Sequence, residues 1–474
     1  MNALRRGLDG DRVGLVVGSA LAVAVALATA QAGVKVGVGP LMLVAVFLLL
    51  VAGWLVVPHV LVAITIPLFA LLPTLKVFVS DWLGPVKDFI TLAAAVALAI
   101  TVMTRGRRPE GLRVDRLLIW LMIAFGGLYV TNVGGLISGG SHGIAWAQGV
   151  RLTGEPIILL AVGLTVRNPR RTLGVAVSTL IATGVFVALY GVYQQVLGGP
   201  GLINLGYSYE HQVRTIGSHL RSFGTFDDPF AYAAFLLLAI AGALFWMRRG
   251  PLKLACISVM IIGLTLSYVR TAILIAVALI ALWLISNRQV TLGFVLLAAS
   301  LVAGFAFLVA LSGASETRSV RAGPNTYVTL NGRTSVWGTI FSRPTKVPFG
   351  LGVAKVGTAA QRAQSGLIIN QDSARTTSIA VDSGYFATVA DVGIVGLLIL
   401  LALFARILAL GVAATRWGDV AGWLVLGWMI VLLIDAVTRA SFTGFPTAFL
   451  GMLLVGLGIA TSMNRSGSRP VGAG

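Results

Sequence analysis

Long apolar runs, separated by short basic connectors, recur along almost the whole of this chain. That pattern constrains its fold more than any single motif. Hydrocarbon offers no partner for backbone N–H and C=O groups, so a run of about 17–25 apolar residues crosses a bilayer as a helix. Fourteen such runs are legible, at about 13–33, 40–57, 60–75, 88–104, 117–137, 152–166, 173–197, 229–247, 254–269, 271–286, 290–311, 385–405, 420–437 and 446–463. The expected architecture is an all-α polytopic membrane protein of 12–14 transmembrane helices. Only 11% of residues are charged, against about 25% in soluble domains. The opening segment MNALRRGLDGDRVG lacks a signal-peptide layout, so the run after it is expected to be the first membrane helix. The single cysteine, Cys256, rules out an internal disulfide and any cysteine-based metal site.

Orientation follows from where the positive charges fall. Lys and Arg collect in every second connection: RR near the start, then RGRRPEGLRVDR, RNPRR, RRGPLK, SNR, ATRWGD and the tail NRSGSR. Positive loops stay on the cytoplasmic side, so both termini are expected inside. Much of the net charge of +19 is therefore topological, and nucleic acid is not needed to explain it. Two outer connections break the pattern. Gly198 to Asp228 holds His211, Arg214, His219 and Arg221. Ser312 to Gly384 carries eight basic residues against three acidic ones, on the side where the rule disfavours them. This excess calls for an anionic partner outside the membrane. The chain divides accordingly into N-terminal membrane helices (1–197), a first outer loop (198–228), a helical block (229–311), a large outer loop (312–384) and C-terminal helices (385–474).

Arg270 is the one charge in the stretch from Leu254 to Ser286. A single helix over that stretch would be about 50 Å long, too long for one crossing. Lys253 and Arg288 bracket it on the inside, so two short legs of about 24 Å must run out and back. Arg270 then sits at the apex, in a depression open to the outside. With Arg151, Arg221, Arg333 and Asp382 it makes a set of groups at outer ends or in outer loops. Clustered guanidiniums suit phosphate, which they bind through two donors at once.

The residues around this set resemble the O-antigen ligases and polymerases. RSFGTFDDPFAYAAFL (221–236) is similar to the segment in which an arginine precedes a helix start. LSYVRTAILIA (266–276) resembles the family's S-x-S-R element, with Tyr268 in the variable position. GRTSVWGTIFSRPTKVPFGLGVAKVG (332–357) is similar to its R-x-x-x-W segment and the glycine-rich stretch that follows. DSGYFATVADVGIVG (382–396) fits the ligase signature H-[N/S/Q]-x9-G-x-x-G, except that Asp382 stands where the family has histidine. The resemblance implies a GT-C-like membrane glycosyltransferase. Such an enzyme takes glycan from undecaprenyl or another polyprenyl diphosphate and passes it to an acceptor glycan, lipid or other hydroxyl. It works outside the bacterial cytoplasmic membrane with no metal or other cofactor. On that reading Arg221, Arg270 and Arg333, with Arg151, bind the diphosphate, and Arg221 and Arg270 stabilise it as it leaves. Asp382 takes the acceptor proton, or else caps the helix that follows it. Trp337, His219 and Tyr385 are candidates for sugar contact, although Trp and Tyr also populate membrane interfaces. The replacement of histidine favours a polymerase over a lipid A ligase, with a chain-length regulator as a candidate partner.

Other charged groups read as structural. Asp228 before Pro229 is expected to cap a helix. Arg151–Glu155 and Asp435–Arg439 have the spacing of ion pairs one turn apart. The glycine-rich 342–357 lacks the phosphate-loop pattern. A transporter for an anionic substrate is the rival from another class. It should carry its charges at mid-membrane in broken helices, whereas the candidate groups here lie at helix ends and in loops.

Overall fold

The computed structural model describes residues 38–104, 115–137, 143–209, 212–216, 219–288, 291, 348–355 and 383–466. The run expected at 13–33 and, apart from Thr291, that at 290–311, with Arg333, Trp337, Asp382 and His211, lie outside the described residues. Elsewhere the apolar runs are helices: α1 Val38–Val56, α2 Pro58–Phe78, α3 Val86–Thr104, α4 Arg116–Thr131, the short α5 Val133–Ile137, α6 Gly143–Thr165 and α7 Pro169–Asn204. A two-stranded antiparallel hairpin follows, β1 Arg214–Ile216 and β2 His219–Arg221. Then come α8 Pro229–Trp246, α9 Pro251–Leu266, α10 Arg270–Ser286, α11 Gly384–Arg416, α12 Val420–Thr438 and α13 Thr447–Ser466. Eight of the described helical segments are long and apolar enough to cross a membrane, and α9 and α10 are shorter apolar legs. The chain is an all-α polytopic membrane protein.

The bundle has a buried centre. Of the 18-residue span within α8, 83% is enclosed, and of that within α13, 78%. A helix that is apolar on every face belongs in such a position. Alanine and glycine fill α8 and let α7, α9, α10 and α12 lie against it. Where α6 crosses α13 the backbones touch: a Cβ on Gly163 would lie 2.5 Å from the Leu453 carbonyl oxygen. Small residues permit this approach, which is how membrane helices gain contact without a hydrophobic drive between them.

Two details differ from the sequence reading. α6 begins at Gly143, earlier than the apolar run, so Arg151 lies two turns inside the helix rather than at its end. Its neighbour in space is α3, and the expected pairing with Glu155 is replaced by pairing across helices. Arg151 Nη1 meets Asp88 Oδ2 at 2.9 Å, and Lys87 Nζ lies 3.5 Å from Glu155 Oε2 as well as bonding Asp88. Two charges of each sign are thereby gathered between α3 and α6, a partnered arrangement that buried charges require. Lys87 also faces the rings of Phe445 and Phe449 at 5.5 and 5.2 Å. The second detail is α7, which turns at Gly198 (φ +65°) and continues to Asn204. Its last turns lie at the end of the bundle that carries the hairpin.

Candidate functional site

The hairpin is held by one pair of neighbouring glutamines on α7. Buried Gln194 accepts the amides of Phe223 and Gly224 at 3.1 and 2.9 Å and donates to the Gly224 carbonyl at 2.8 Å. Gln195 donates to the Leu220 carbonyl and to Ser222 Oγ. Backbone groups leaving a strand must find partners, and these amides supply both donors and acceptors. The segment RSFGTF is thus pinned along its length, and Thr225 Oγ1 fastens its end to the Ala70 carbonyl at 2.7 Å.

Pinned there, the hairpin meets the bend between α9 and α10. The two legs have 16 and 17 residues, the out-and-back pair expected between Lys253 and Arg288. Ser222 N donates to the Leu266 carbonyl at 2.9 Å, and Arg221 Nε donates to the Ser267 carbonyl at 3.1 Å. Ser267 Oγ closes the turn on the Leu264 carbonyl. Tyr268 takes a left-handed φ of +53° so that Arg270 can start α10. Its ring stacks on His219, centroids 5.9 Å apart. His219, expected as a sugar contact, is therefore engaged by the apex itself.

Three arginines converge at this junction. Arg221 is buried, its guanidinium 4.9 Å from the Phe230 ring. Arg214 is its direct partner across the hairpin, and like charges so placed repel. Arg270 is exposed at the apex. Burial, then Arg214, with Arg270 adding to it, pulls the Arg221 guanidinium down to about 10, while Asp228 works the other way. Arg221 still carries its proton at neutral pH, at an energetic cost that a bound anion would relieve. Arg214 was counted among the basic loop residues but not among the site residues. Its place opposite Arg221 needs the hairpin register, which the loop composition does not reveal.

Arg439 was read only as a structural partner for Asp435, and that ion pair is present, Nη1 to Oδ2 3.7 Å. The same side chain reaches the start of α8, where Nη2 lies 3.8 Å from Asp228 Oδ2. Asp228 caps α8 as expected, accepting from Ala231 N at 2.8 Å. Ser441 Oγ bonds Asp435, and Arg439 Nη1 is buried with no hydrogen-bond partner. The Arg439 carbonyl accepts from Gly384 N at 2.8 Å, so this residue also positions the start of α11. At that start Ser383, not Asp382, holds the N-cap position, and Ser383 Oγ donates to the Ala436 carbonyl at 3.1 Å. Asp382, the residue before it, lies outside the described residues. Tyr385 spends its hydroxyl on the Leu433 carbonyl at 2.9 Å and packs edge-on against Phe442. Arg151, bound to Asp88, belongs to the α3–α6 network.

The segment Pro348–Lys355 enters the bundle beside α11. At Gly393 (φ +76°) the helix bends, and Val395 N donates to the Pro348 carbonyl. A side chain on Gly393 would overlap that carbonyl, and one on Gly350 (φ +80°) would come within 2.7 Å of Gly393 N. The glycines of the two family-like motifs therefore serve one joint. Asp391, missed by the sequence reading, completes it: Oδ1 accepts from Ala354 N at 3.2 Å and Oδ2 from the Tyr129 hydroxyl at 3.4 Å. Asn132 Oδ1 takes Val353 N at 2.8 Å. The joint and the Arg439 corner bound opposite ends of the first two turns of α11.

Residues 254–401 match a family model described as O-antigen ligase. The match covers about a third of the chain, and over that stretch the chain is similar to the O-antigen ligase family. No curated protein matches the chain. The matched stretch takes in most of α9, Arg270, the Pro348–Lys355 segment and the first half of α11. Arg214, Arg221 and Arg439 reach it from outside, through the hairpin and the α12–α13 connection. The likeness agrees with a membrane protein of O-antigen ligase type.

Proposed function

We propose that the protein is a polysaccharide polymerase that transfers glycan from a polyprenyl diphosphate to an acceptor hydroxyl, on the outer face of the bacterial cytoplasmic membrane. The observation that carries this reading is the meeting of Arg214, Arg221 and Arg270 at the hairpin–apex junction. Preorganised guanidiniums aimed at a charge that develops during reaction act where a metal would otherwise serve. In the proposed step the acceptor oxygen attacks the anomeric carbon, and its proton passes to Asp382. The bond from that carbon to the diphosphate breaks, and the electron pair leaves with the lipid diphosphate. Arg214, Arg221 and Arg270 hold the leaving group, with Arg333 and Trp337 as further contacts from the large loop.

The test is incubation of purified protein with a polyprenyl-diphosphate oligosaccharide. A ladder of longer lipid-linked glycans is expected, with Arg221→Ala and Arg270→Ala each slowing it about 10²–10³-fold. Arg221→Lys should not restore it, because an ammonium lacks the fork that reaches Ser267 and a phosphate together. An undiminished ladder in both alanine variants would overturn the assignment of the arginines. A single transfer to added acceptor, with no ladder, would make the protein a ligase.

A further inference from the structure

Near the arginine junction lies a concavity of different chemistry. It has a volume of about 450 Å³ and is lined by Pro73, Lys76, Val77, Gly206, Ser208, Gln212 and Asp227. It forms where the end of α2 meets the turn after α7. Gly206 (φ +97°) reverses the chain there, and Gln212 Oε1 holds Ser208 N at 2.8 Å. Tyr207 backs this wall, its hydroxyl 2.9 Å from that of Tyr190 and 3.3 Å from Thr74 Oγ1. Thr225 Oγ1, bonded to α2, fixes the approach of Asp227 to the groove.

The groove is within the range of small-molecule sites, about 300–1,000 Å³. Its side chains offer ammonium donors from Lys76, acceptors from Asp227, and both from Ser208 and Gln212. Lys76 and Asp227 make no ion pair with each other. A carboxylate in the wall disfavours phosphate, so this is not an extension of the arginine site. The polar lining equally disfavours an isoprenoid chain. What matches mixed donors and acceptors is a ligand rich in hydroxyls. Asp227 adjoins Asp228, whose carboxylate faces Arg439 and acts on Arg221. One backbone step therefore separates the groove from the arginine site. Tyr209, exposed between Ser208 and Gln212, adds an aromatic face at the rim.

We infer that this groove is the acceptor-sugar subsite: Lys76, Ser208, Gln212 and Asp227 bind the glycan whose hydroxyl attacks the donor. The inference rests on the transferase reading above. It divides the outer end into a cationic chamber for diphosphate and a mixed-polarity chamber for sugar.

The experiment measures transfer from a fixed polyprenyl-diphosphate donor to a soluble acceptor oligosaccharide. Lys76→Gln, Gln212→Ala and Asp227→Asn should each raise the acceptor KM about tenfold, the effect of one lost sugar hydrogen bond. The donor KM should stay at the wild-type value, which also shows that the variants are folded. Unchanged acceptor KM in all three, or a rise in donor KM instead, would overturn the subsite. Absence of any transfer by the wild-type protein would overturn the transferase reading itself. In that case saturable binding of the free oligosaccharide, weakened by the same substitutions, would still support a sugar site, and its absence would overturn it.

Discussion

Arg439 joins three elements through one side chain and one carbonyl. Its guanidinium lies between Asp435 on α12 and Asp228 at the head of α8, and its carbonyl holds the first amide of α11. The Asp435 side chain is only 5% exposed, so it depends on that partner. Removing one member of a buried pair leaves an uncompensated charge, which costs about 3–5 kcal/mol. Arg439→Ala should lower thermal stability in detergent by that order, and Asp435→Asn in the same chain should recover much of the loss. A double variant no more stable than the single one would show that the pair is not coupled. The i,i+4 spacing of Asp435 and Arg439 was legible in the sequence. The third partner, Asp228, is distant along the chain, and only packing of α8 beside α12 brings it there. The same holds for Arg151: a same-helix partner was the natural reading, but Asp88 on α3 wins once the helices lie together.

Among the elements, α11 shows most clearly how a motif's glycines work. Gly393 and Gly396 were visible as a pattern, without a reason. The reason at Gly393 is that the Pro348 carbonyl occupies the space of its Cβ, in a backbone conformation that L side chains avoid. Gly393→Ala should therefore cost about 2–4 kcal/mol, through left-handed strain and displacement of the Pro348–Lys355 segment. Gly127→Ala on α4, where a Cβ meets nothing within 4 Å, should shift stability by no more than about 0.5 kcal/mol. Thermal melts of the two variants side by side check this contrast, and equal melting temperatures would refute it. The apex of α9 and α10 was legible in advance, because the stretch was too long for one helix and bracketed by inside charges. Its partner was not. The hairpin is two three-residue strands in a polar loop, too short to leave a periodic signal.

At the scale of the molecule, the arginines, the polar groove and the starts of α8, α10 and α11 lie at one end of the bundle. On the topology expected from the charge pattern, we propose that this end faces the outside. In a Cys256→Ala background, Tyr209→Cys should react with a membrane-impermeant thiol reagent applied to intact cells. Arg170→Cys, at the other end of α7, should react only after permeabilisation. Both positions are exposed in the structure, so the difference reports the membrane alone. Labelling of Arg170→Cys from outside would invert the orientation and remove the proposed site from the outer face.

The sequence by itself determined the class of the protein, the helices and the short-legged bend at Arg270. Hydrocarbon leaves the backbone no alternative to helix, and that requirement is written locally in runs of apolar residues. It also named Arg221 and Arg270 through motif resemblance. Tertiary structure alone decided which charges meet: Arg214 opposite Arg221, Arg439 between two aspartates, Arg151 turned to Asp88, and Asp391 on the Pro348–Lys355 segment. In a low-dielectric interior opposite charges must find each other, and packing brings such partners from remote positions in the chain, whereas the register of the hairpin sets Arg214 and Arg221 together despite their repulsion.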